Sequence, residues 1–183
     1  MKIIIDTSSW LALVRYYIPF DPDSKIYHFF KNGIENGTII LIDEVHQECS
    51  FVGKKIVINN LEFFNQKKNI TKTTNLYPYR KFFNLLDNQF SVQSLKSRLS
   101  DVEYEIRKET YLKSADAKII LQALKFKNED QIDEVIIVSE ESGSANDQKL
   151  FKKIPTICTI LKIECSSLPE LIVKFNKDIN LNF

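Results

Sequence analysis

Acidic residues with the potential to bind a metal ion follow several of the apolar segments of this sequence. Asp6 ends the first apolar run, and Glu140 and Glu141 follow a later one. Glu48 lies about one and a half turns into the helical pattern after the second run, and Asp116 opens a helical pattern that begins near Ser114. Carboxylates that crowd together raise one another's pKa unless a divalent cation neutralises them, and oxygen ligands suit Mg²⁺ or Mn²⁺. Because such a metal activates water for attack on a phosphodiester, these residues predict a metal-dependent hydrolase.

The apolar runs that precede these acids predict a parallel β-sheet. Each run is short, rich in β-branched residues and bounded by helical patterns, which is typical of strands buried on both faces. Helices between such strands imply right-handed crossovers and a three-layer α/β/α fold with a mostly parallel central sheet. Ligands bind such sheets beyond the carboxyl ends of the strands, where the acids lie. The strands are predicted at residues 2–6, 38–42, 134–139 and about 163–165.

Helical patterns fill most of the remaining chain. Thr7 to Ser9 offer N-cap chemistry for the first helix, and Asp43 does so for the third. The segment from about 54 to 107 alternates helical patterns with polar connections and contains no strong strand, so it is predicted as a helical insertion in a single domain over residues 1–183. The other helices are predicted at about 10–17, 23–36, from 44, 111–127, 155–161 and from 168.

Charge is distributed unevenly along the chain, although the net charge is only +1. Residues 1–52 carry a net charge of −3, residues 53–127 a net charge of +8 and residues 128–183 a net charge of −4. A basic surface beside an acidic site would hold a polyanion, and an ordinary Lys-rich helical surface explains the same numbers. Within the basic third, Tyr77, Tyr79, Arg80 and Lys81 form a patch that either contacts RNA or simply begins a helix.

The three cysteines and the N-terminal residues predict a cytoplasmic location. Cys49, Cys158 and Cys165 are odd in number and lack the C-x-x-C spacing, so we expect buried reduced thiols. The N-terminus lacks the pattern of a signal segment, and no apolar run approaches the roughly 20 residues of a membrane span. We therefore expect no association with a membrane.

Four short motifs, in this order, resemble those of PIN-domain proteins. The family opens with an apolar strand, an aspartate and a Thr or Ser, and it has a Val-x-x-Glu after its second strand. An Ala-Asp segment and a Val-Thr-x-Asp/Glu follow nearer the C-terminus. The matching segments are Ile3-Ile-Ile-Asp6-Thr-Ser-Ser-Trp, Val45-His-Gln-Glu48, Ser114-Ala-Asp116-Ala-Lys-Ile-Ile and Val138-Ser139-Glu140-Glu141.

The resemblance implies a function and a set of site residues. PIN-domain proteins are mostly Mg²⁺-dependent endoribonucleases, and many are VapC-type toxins paired with an antitoxin protein. Asp6, Glu48 and Asp116 would then be the core ligands of Mg²⁺ or Mn²⁺, and Glu141 the fourth acid. The hydroxyls of Thr7 and Ser139 would orient carboxylates or water, and RNA would be the substrate. A homodimer is also expected from the resemblance.

Each assignment has an alternative. Asp6 could be only a helix cap, and Asp116 only a partner of its helix dipole. Glu44 lies one helical turn before Glu48 and could take its place, and Glu140 or Asp147 could be the fourth acid. A PIN-like scaffold that binds RNA or protein without cleaving is the alternative function.

Other chemistries find little support in the sequence. Nucleotide-cradling glycine motifs and the G-x-S-x-G motif are absent. A haloacid-type phosphatase would need a second aspartate where Ser8 stands. His28 and His46 are too few and too far apart in sequence for a histidine-based metal site.

Overall fold

Five short parallel strands form the central sheet of the described residues, and three apolar runs of the sequence form its three central strands. The computed structural model describes residues 1–76, 78–128, 132–143 and 149–179. The strand order is β3-β2-β1-β4-β5, and every pairing between neighbours is parallel. The strands are β1 (Lys2–Ile5), β2 (Ile39–Ile42), β3 (Ile70–Thr71), β4 (Val135–Val138) and β5 (Glu164–Ser166).

The order of the strands creates a crevice at the carboxyl ends of β1 and β4. The chain runs outward from β1 through β2 to β3, and it then crosses to the other side of β1 to form β4 and β5. Ile3 pairs with Ile39 on one side of β1, and Ile5 pairs with Val138 on the other. Such a reversal of strand order is where open parallel sheets bind ligands.

Helices cover both faces of the sheet and confirm the predicted three-layer α/β/α class. The α-helices are α1 (Thr7–Ala12), α2 (Lys25–Glu35), α3 (Asp43–Phe51), α4 (Ile56–Asn60), α5 (Arg80–Leu85), α6 (Gln93–Lys96), α7 (Asp101–Leu112), α8 (Ala115–Asn128), α9 (Ile154–Leu161), α10 (Leu168–Lys174) and α11 (Asn176–Ile179). Leu13–Tyr17 and Leu86–Phe90 form single π-helical turns, and short 3₁₀ turns lie at Ile18–Phe20, Val52–Lys55, Glu62–Asn65 and Lys67–Asn69.

The segment predicted as a helical insertion also contains a strand. Its short helices are present, but Ile70 and Thr71 pair with Leu41 and Ile42 and extend the sheet by the edge strand β3. Two residues are too few to give a periodic apolar pattern, so the sequence alone does not reveal this strand.

Three predicted helix boundaries are wrong. Thr7 to Ser9 are the first residues of α1 and not its cap, which is Asp6. Tyr111 lies in the last turn of α7 rather than at the start of the next helix, because the chain breaks at Ser114. The Ser114 hydroxyl donates to the carbonyl of Tyr111 and accepts from the amide of Ala117. Asp43 is the first helical residue of α3 and not its cap, which is Ile42.

One buried cluster of apolar side chains runs from Ile3 to Ile179 and joins the insertion to the sheet. A partly buried ion pair also ties the insertion to α7: Lys108 Nζ lies 2.9 Å from Asp87 Oδ1, and the Tyr104 hydroxyl donates to the same oxygen at 2.8 Å. These contacts fix α7, whose last turn borders the candidate site, against the insertion.

The remaining sequence expectations can be placed on this fold. All three cysteines are free thiols, with Cys49 and Cys158 buried and Cys165 half-buried. Arg80 and Lys81 are exposed at the start of α5, while Tyr77 lies outside the described residues. None of the helices in the described ranges combines the length and the apolar composition that a membrane span requires.

Candidate metal centre

Asp6 lies in the crevice between β1 and β4. Its amide donates to the carbonyl of Val138 at 2.9 Å, which joins the ends of the two strands. Its Oδ1 accepts from the amide of Thr7 at 2.7 Å, and its Oδ2 accepts from the hydroxyls of Ser8 at 2.6 Å and Ser139 at 3.3 Å. Asp6 therefore does cap helix α1, as its alternative assignment predicts. Its carboxylate is also only 6% exposed and held in one orientation at the strand end.

Glu48 approaches Asp6 through Thr7. The Thr7 hydroxyl donates to Glu48 Oε2 at 2.6 Å, which links the start of α1 to the middle of α3. The alternative residue, Glu44, points elsewhere and accepts from the hydroxyl of Thr73. The structure thus brings Glu48, rather than Glu44, into contact with Thr7, the residue next to Asp6.

Asp116 enters the same site from the first turn of α8. Burial and the negative charges of Asp6, Glu141 and Glu48 together raise the pKa of its carboxyl to about 7, while Lys149 opposes them. No residue that the structure describes donates a hydrogen bond to this carboxylate. A half-buried carboxylate without a donor is costly unless a cation faces it. Its position in the first turn of α8 also fits the helix-dipole role of the alternative assignment.

Of the two acids that follow β4, Glu141 is the one whose charge acts on the Asp116 carboxyl. Its amide donates to the Ser139 hydroxyl at 3.2 Å, which places the side chain beside Asp6. Its carboxylate lies 3.3 Å from Lys149 Nζ and accepts from the amide of Ile154 at 3.3 Å. Its charge acts on both Asp6 and Asp116.

Glu140 has a different environment. Its Oε1 accepts from the amide of Leu168 at 2.7 Å and from the Ser9 hydroxyl at 3.1 Å, so it holds the start of α10 against α1. These contacts are those of a structural residue. Asp147, the third alternative for the fourth acid, lies outside the described residues.

The comparison with known families becomes informative at this point. A model of the family described as "Domain of unknown function (DUF4411)" matches residues 3–178. This range includes all four acids and all of the described strands except Lys2, the first residue of β1. The chain belongs to the DUF4411 family. No curated protein and no solved structure matches it.

The four acids of this DUF4411 chain have the right chemistry for a hard divalent cation. They offer only oxygen atoms, and their mutual repulsion is relieved by a positive charge among them. As positioned, however, no three His, Cys, Asp or Glu side chains in the described ranges are close enough to share a metal ion. In this arrangement Glu48 accepts a hydrogen bond from Thr7, and Glu141 is paired with Lys149.

The sequence did not predict three other residues at this edge of the DUF4411 fold. Ser8 binds the Asp6 carboxylate, although its hydroxyl had no assigned role in the sequence. Lys149 pairs with Glu141 from a segment without a motif. The Tyr111 hydroxyl is buried and has no hydrogen-bond partner in the part of the chain that the structure describes. Only Ser8, in the run Thr7 to Ser9 beside a key aspartate, carried a signal that could have identified it.

Proposed function

We propose that this protein is a divalent-metal-dependent endoribonuclease that hydrolyses RNA phosphodiester bonds. The observation that carries the proposal is the convergence of four carboxylates, from four separate elements, on the crevice between β1 and β4. Structural carboxylates are normally paired with cations or hydrogen-bond donors. Asp116, in contrast, has no donor among the described residues and faces three other acids.

The proposed ligands are Asp6, Glu48, Asp116 and Glu141. When bound there, Mg²⁺ or Mn²⁺ would supply a Lewis acid for the phosphate oxygens and an activated water. Hydroxyl groups beside two of these acids hold their carboxylates in position. Ser8 and Ser139 fix both the position and the orientation of Asp6, and Thr7 orients Glu48.

The choice of RNA rests on the resemblance to PIN-domain proteins and on the basic middle third of the chain. The net charge of +8 over residues 53–127 provides a surface that attracts a polyanion. The resemblance further adds a cytoplasmic toxin role, an antitoxin partner and a homodimer to the proposal. Growth arrest on expression tests the toxin role, and rescue of growth by a gene encoded beside it tests the antitoxin partner. Light scattering, compared with the chain mass of 21.4 kDa, tests the homodimer.

One observation favours a second candidate, the scaffold that binds RNA or protein without cleaving it. The carboxylates as positioned do not form a three-ligand group within the described residues. A scaffold of this kind gains no stability from Mn²⁺. A metal enzyme gains about 2.7 kcal/mol of stability when the Mn²⁺ concentration is 100 times the Kd for the ion. A thermal melt with and without Mn²⁺ therefore separates the two candidates.

Cleavage of a panel of single-stranded and hairpin RNAs tests the proposal. We expect products only with Mg²⁺ or Mn²⁺, and a rate at least about a hundredfold lower for Asp6→Asn, because loss of a metal ligand costs more than loss of an outer-shell partner. Asparagine still caps a helix, so the fold should survive.

Asp43→Asn is the matched control, since Asp43 follows the neighbouring strand β2 but bonds to Thr73. It should cleave within about threefold of the wild type, the usual range for a residue outside the site. Equal rates for Asp6→Asn and the wild type would contradict the proposal, and so would cleavage that persists in a chelator.

A further inference from the structure

A pocket of about 380 Å³ opens beside Asp116. Its walls come from the last turns of α7, the first turn of α8 and the segment 149–151 before α9. Its volume lies in the range of pockets that bind small organic groups. The pocket is lined by Arg107, Thr110, Tyr111, Asp116, Lys149, Leu150 and Phe151.

The inner wall of the pocket is aromatic and rigid. The rings of Tyr111 and Phe151 stack with centroids 4.4 Å apart. The backbone around Phe151 is tied to the insertion, because the amide of Val92 donates to Leu150 and the amide of Lys152 donates to Phe90, both at 2.8 Å. A rigid apolar wall of this kind suits a flat aromatic group such as a nucleobase.

The rim of the pocket is basic and adjoins the candidate metal centre. Arg107 is exposed on α7, and Lys149 Nζ lies 3.3 Å from Glu141, one of the proposed ligands. A guanidinium and an ammonium are the side chains that proteins use for phosphate. Asp116 belongs to both the pocket and the metal centre, so a group bound in the pocket would lie next to the reacting bond.

The Tyr111 hydroxyl is a second sign that this wall is not ordinary core. It is buried without a hydrogen-bond partner among the described residues, although buried tyrosines normally find one. The charges of Asp116 and Glu141 act on it, so it lies near the acids. It can donate to a carboxylate of the centre when the side chains rearrange around a ligand.

We propose that this pocket binds one nucleotide of the RNA strand beside the cleaved bond, with its base against Tyr111 and Phe151 and its phosphate at Arg107 and Lys149. This inference rests on the proposed function, and it adds that the substrate is unpaired at this position and that one base position governs binding. A base in the pocket cannot at the same time pair within a duplex.

Binding to the full chain carrying Asp6→Asn, measured in a chelator so that the probe stays intact, tests the proposal. The probes are a labelled hexanucleotide RNA and six variants that each lack one base, measured by fluorescence anisotropy at fixed salt. One base-free position should weaken binding at least about fivefold more than the others, as expected for loss of one stacked base.

Variants of the pocket give the second half of this test. Arg107→Gln should weaken binding about tenfold by removing a charge-assisted contact. Arg98→Gln, an equal change of charge at an exposed residue outside the pocket, should have little effect. Thr110→Tyr fills the pocket from an exposed helix position without removing core atoms. Its affinity should no longer depend on which base of the probe is missing, whereas the affinity of Thr110→Ser should still depend on it.

The two proposals fail in different ways. If the wild type cleaves RNA with Mg²⁺ but Arg107→Gln and Thr110→Tyr bind like Arg98→Gln and Thr110→Ser, the pocket proposal is wrong and the nuclease stands. If the pocket variants behave as expected but no RNA is cleaved, the nuclease is wrong and the pocket stands as an RNA-binding site. The pocket proposal is overturned if removing each of the six bases weakens binding equally, or if the hexanucleotide does not bind at all.

Discussion

Two groups of acids lie at the carboxyl edge of the sheet, and they differ in the hydrogen-bond donors that their carboxylates have. Asp43 and Glu44 follow β2, and Thr73 binds both: its amide and hydroxyl donate to Asp43 Oδ1 at 3.0 and 2.8 Å, and its hydroxyl also contacts Glu44. Asp6 and Asp116 belong to the other group, between β1 and β4, where Asp116 has no donor among the described residues.

The pKa values of the carboxyl groups also differ between the two groups of acids. Burial raises the pKa of Glu44, and its hydrogen bond with Asp43 raises it further. Burial also opposes ionisation of Asp43, but hydrogen bonds from Glu44 and Thr73 outweigh it and lower the pKa of Asp43. The two shifts have opposite directions, so Asp43 is the stronger acid of this pair. In the other group, burial and the negative charges of Asp6, Glu141 and Glu48 raise the pKa of Asp116 to about 7.

Removing the hydroxyl of Thr73 should have the largest effect on stability. Thr73 is fully buried, and Thr73→Val removes the hydroxyl that contacts both carboxyl groups while the amide bond to Asp43 remains, which costs about 2–3 kcal/mol. Thr7→Val removes a single bond to the exposed Glu48 and should cost about 1 kcal/mol or less. Urea denaturation of both variants measures the difference. Equal losses of stability would remove the contrast between the two groups.

The sequence predicted the position of the acids better than the environment of each one. The runs Ile3–Ile5, Ile39–Ile42 and Val135–Val138 predict buried parallel strands, and the carboxyl-edge rule then places Asp6 correctly. The contacts of Thr73 could not be predicted, because they join residues about 30 positions apart through the two-residue strand β3. Sequence patterns report local periodicity, whereas such contacts depend on how the insertion folds back.

The choice between neighbouring acids was open for the same reason. Glu44 and Glu48 lie on one side of a helix, and only the position of Thr7 on α1 distinguishes them. The separate contacts of Glu140 and Glu141 likewise arise from α10 and α9, which follow later in the chain.

Asp116→Asn should stabilise the protein in the absence of divalent metal. The folded-state pKa of Asp116 is about 7, above the value of about 3.9 in an unfolded chain, so the folded state binds this proton more tightly. The wild type therefore loses stability as the pH rises through this interval, and the variant does not. The two should be equally stable near pH 4, and the variant should gain on the order of 2 kcal/mol by pH 8, allowing for partial exposure.

Urea denaturation in a chelator at both pH values measures this gain. The control is Asp43→Asn, which removes a carboxylate with a lowered pKa and should instead lose stability at pH 8. A loss of stability for Asp116→Asn at pH 8 would show that the carboxylate is paired within the chain.

The smallest expected effects separate Glu140 from Glu141. Glu140→Gln weakens a contact at the start of α10, so it should cost under about 1 kcal/mol and leave cleavage unchanged. Glu141→Gln should change stability little, since the Lys149 partner is exposed, and it should lower the cleavage rate about tenfold or more. Cleavage rates of the two variants, with thermal melts alongside, give the answer. The reverse pattern would make Glu140 the fourth acid.

Calorimetric titration with Mn²⁺, at a pH above the pKa of Asp116, tests the central claim most directly. The wild type and Asp43→Asn should bind one or two ions with similar affinity, while Asp6→Asn and Asp116→Asn should bind at least about a hundredfold more weakly. Mn²⁺ binding that survives both Asp6→Asn and Asp116→Asn, or that disappears in Asp43→Asn, would contradict a metal centre between β1 and β4.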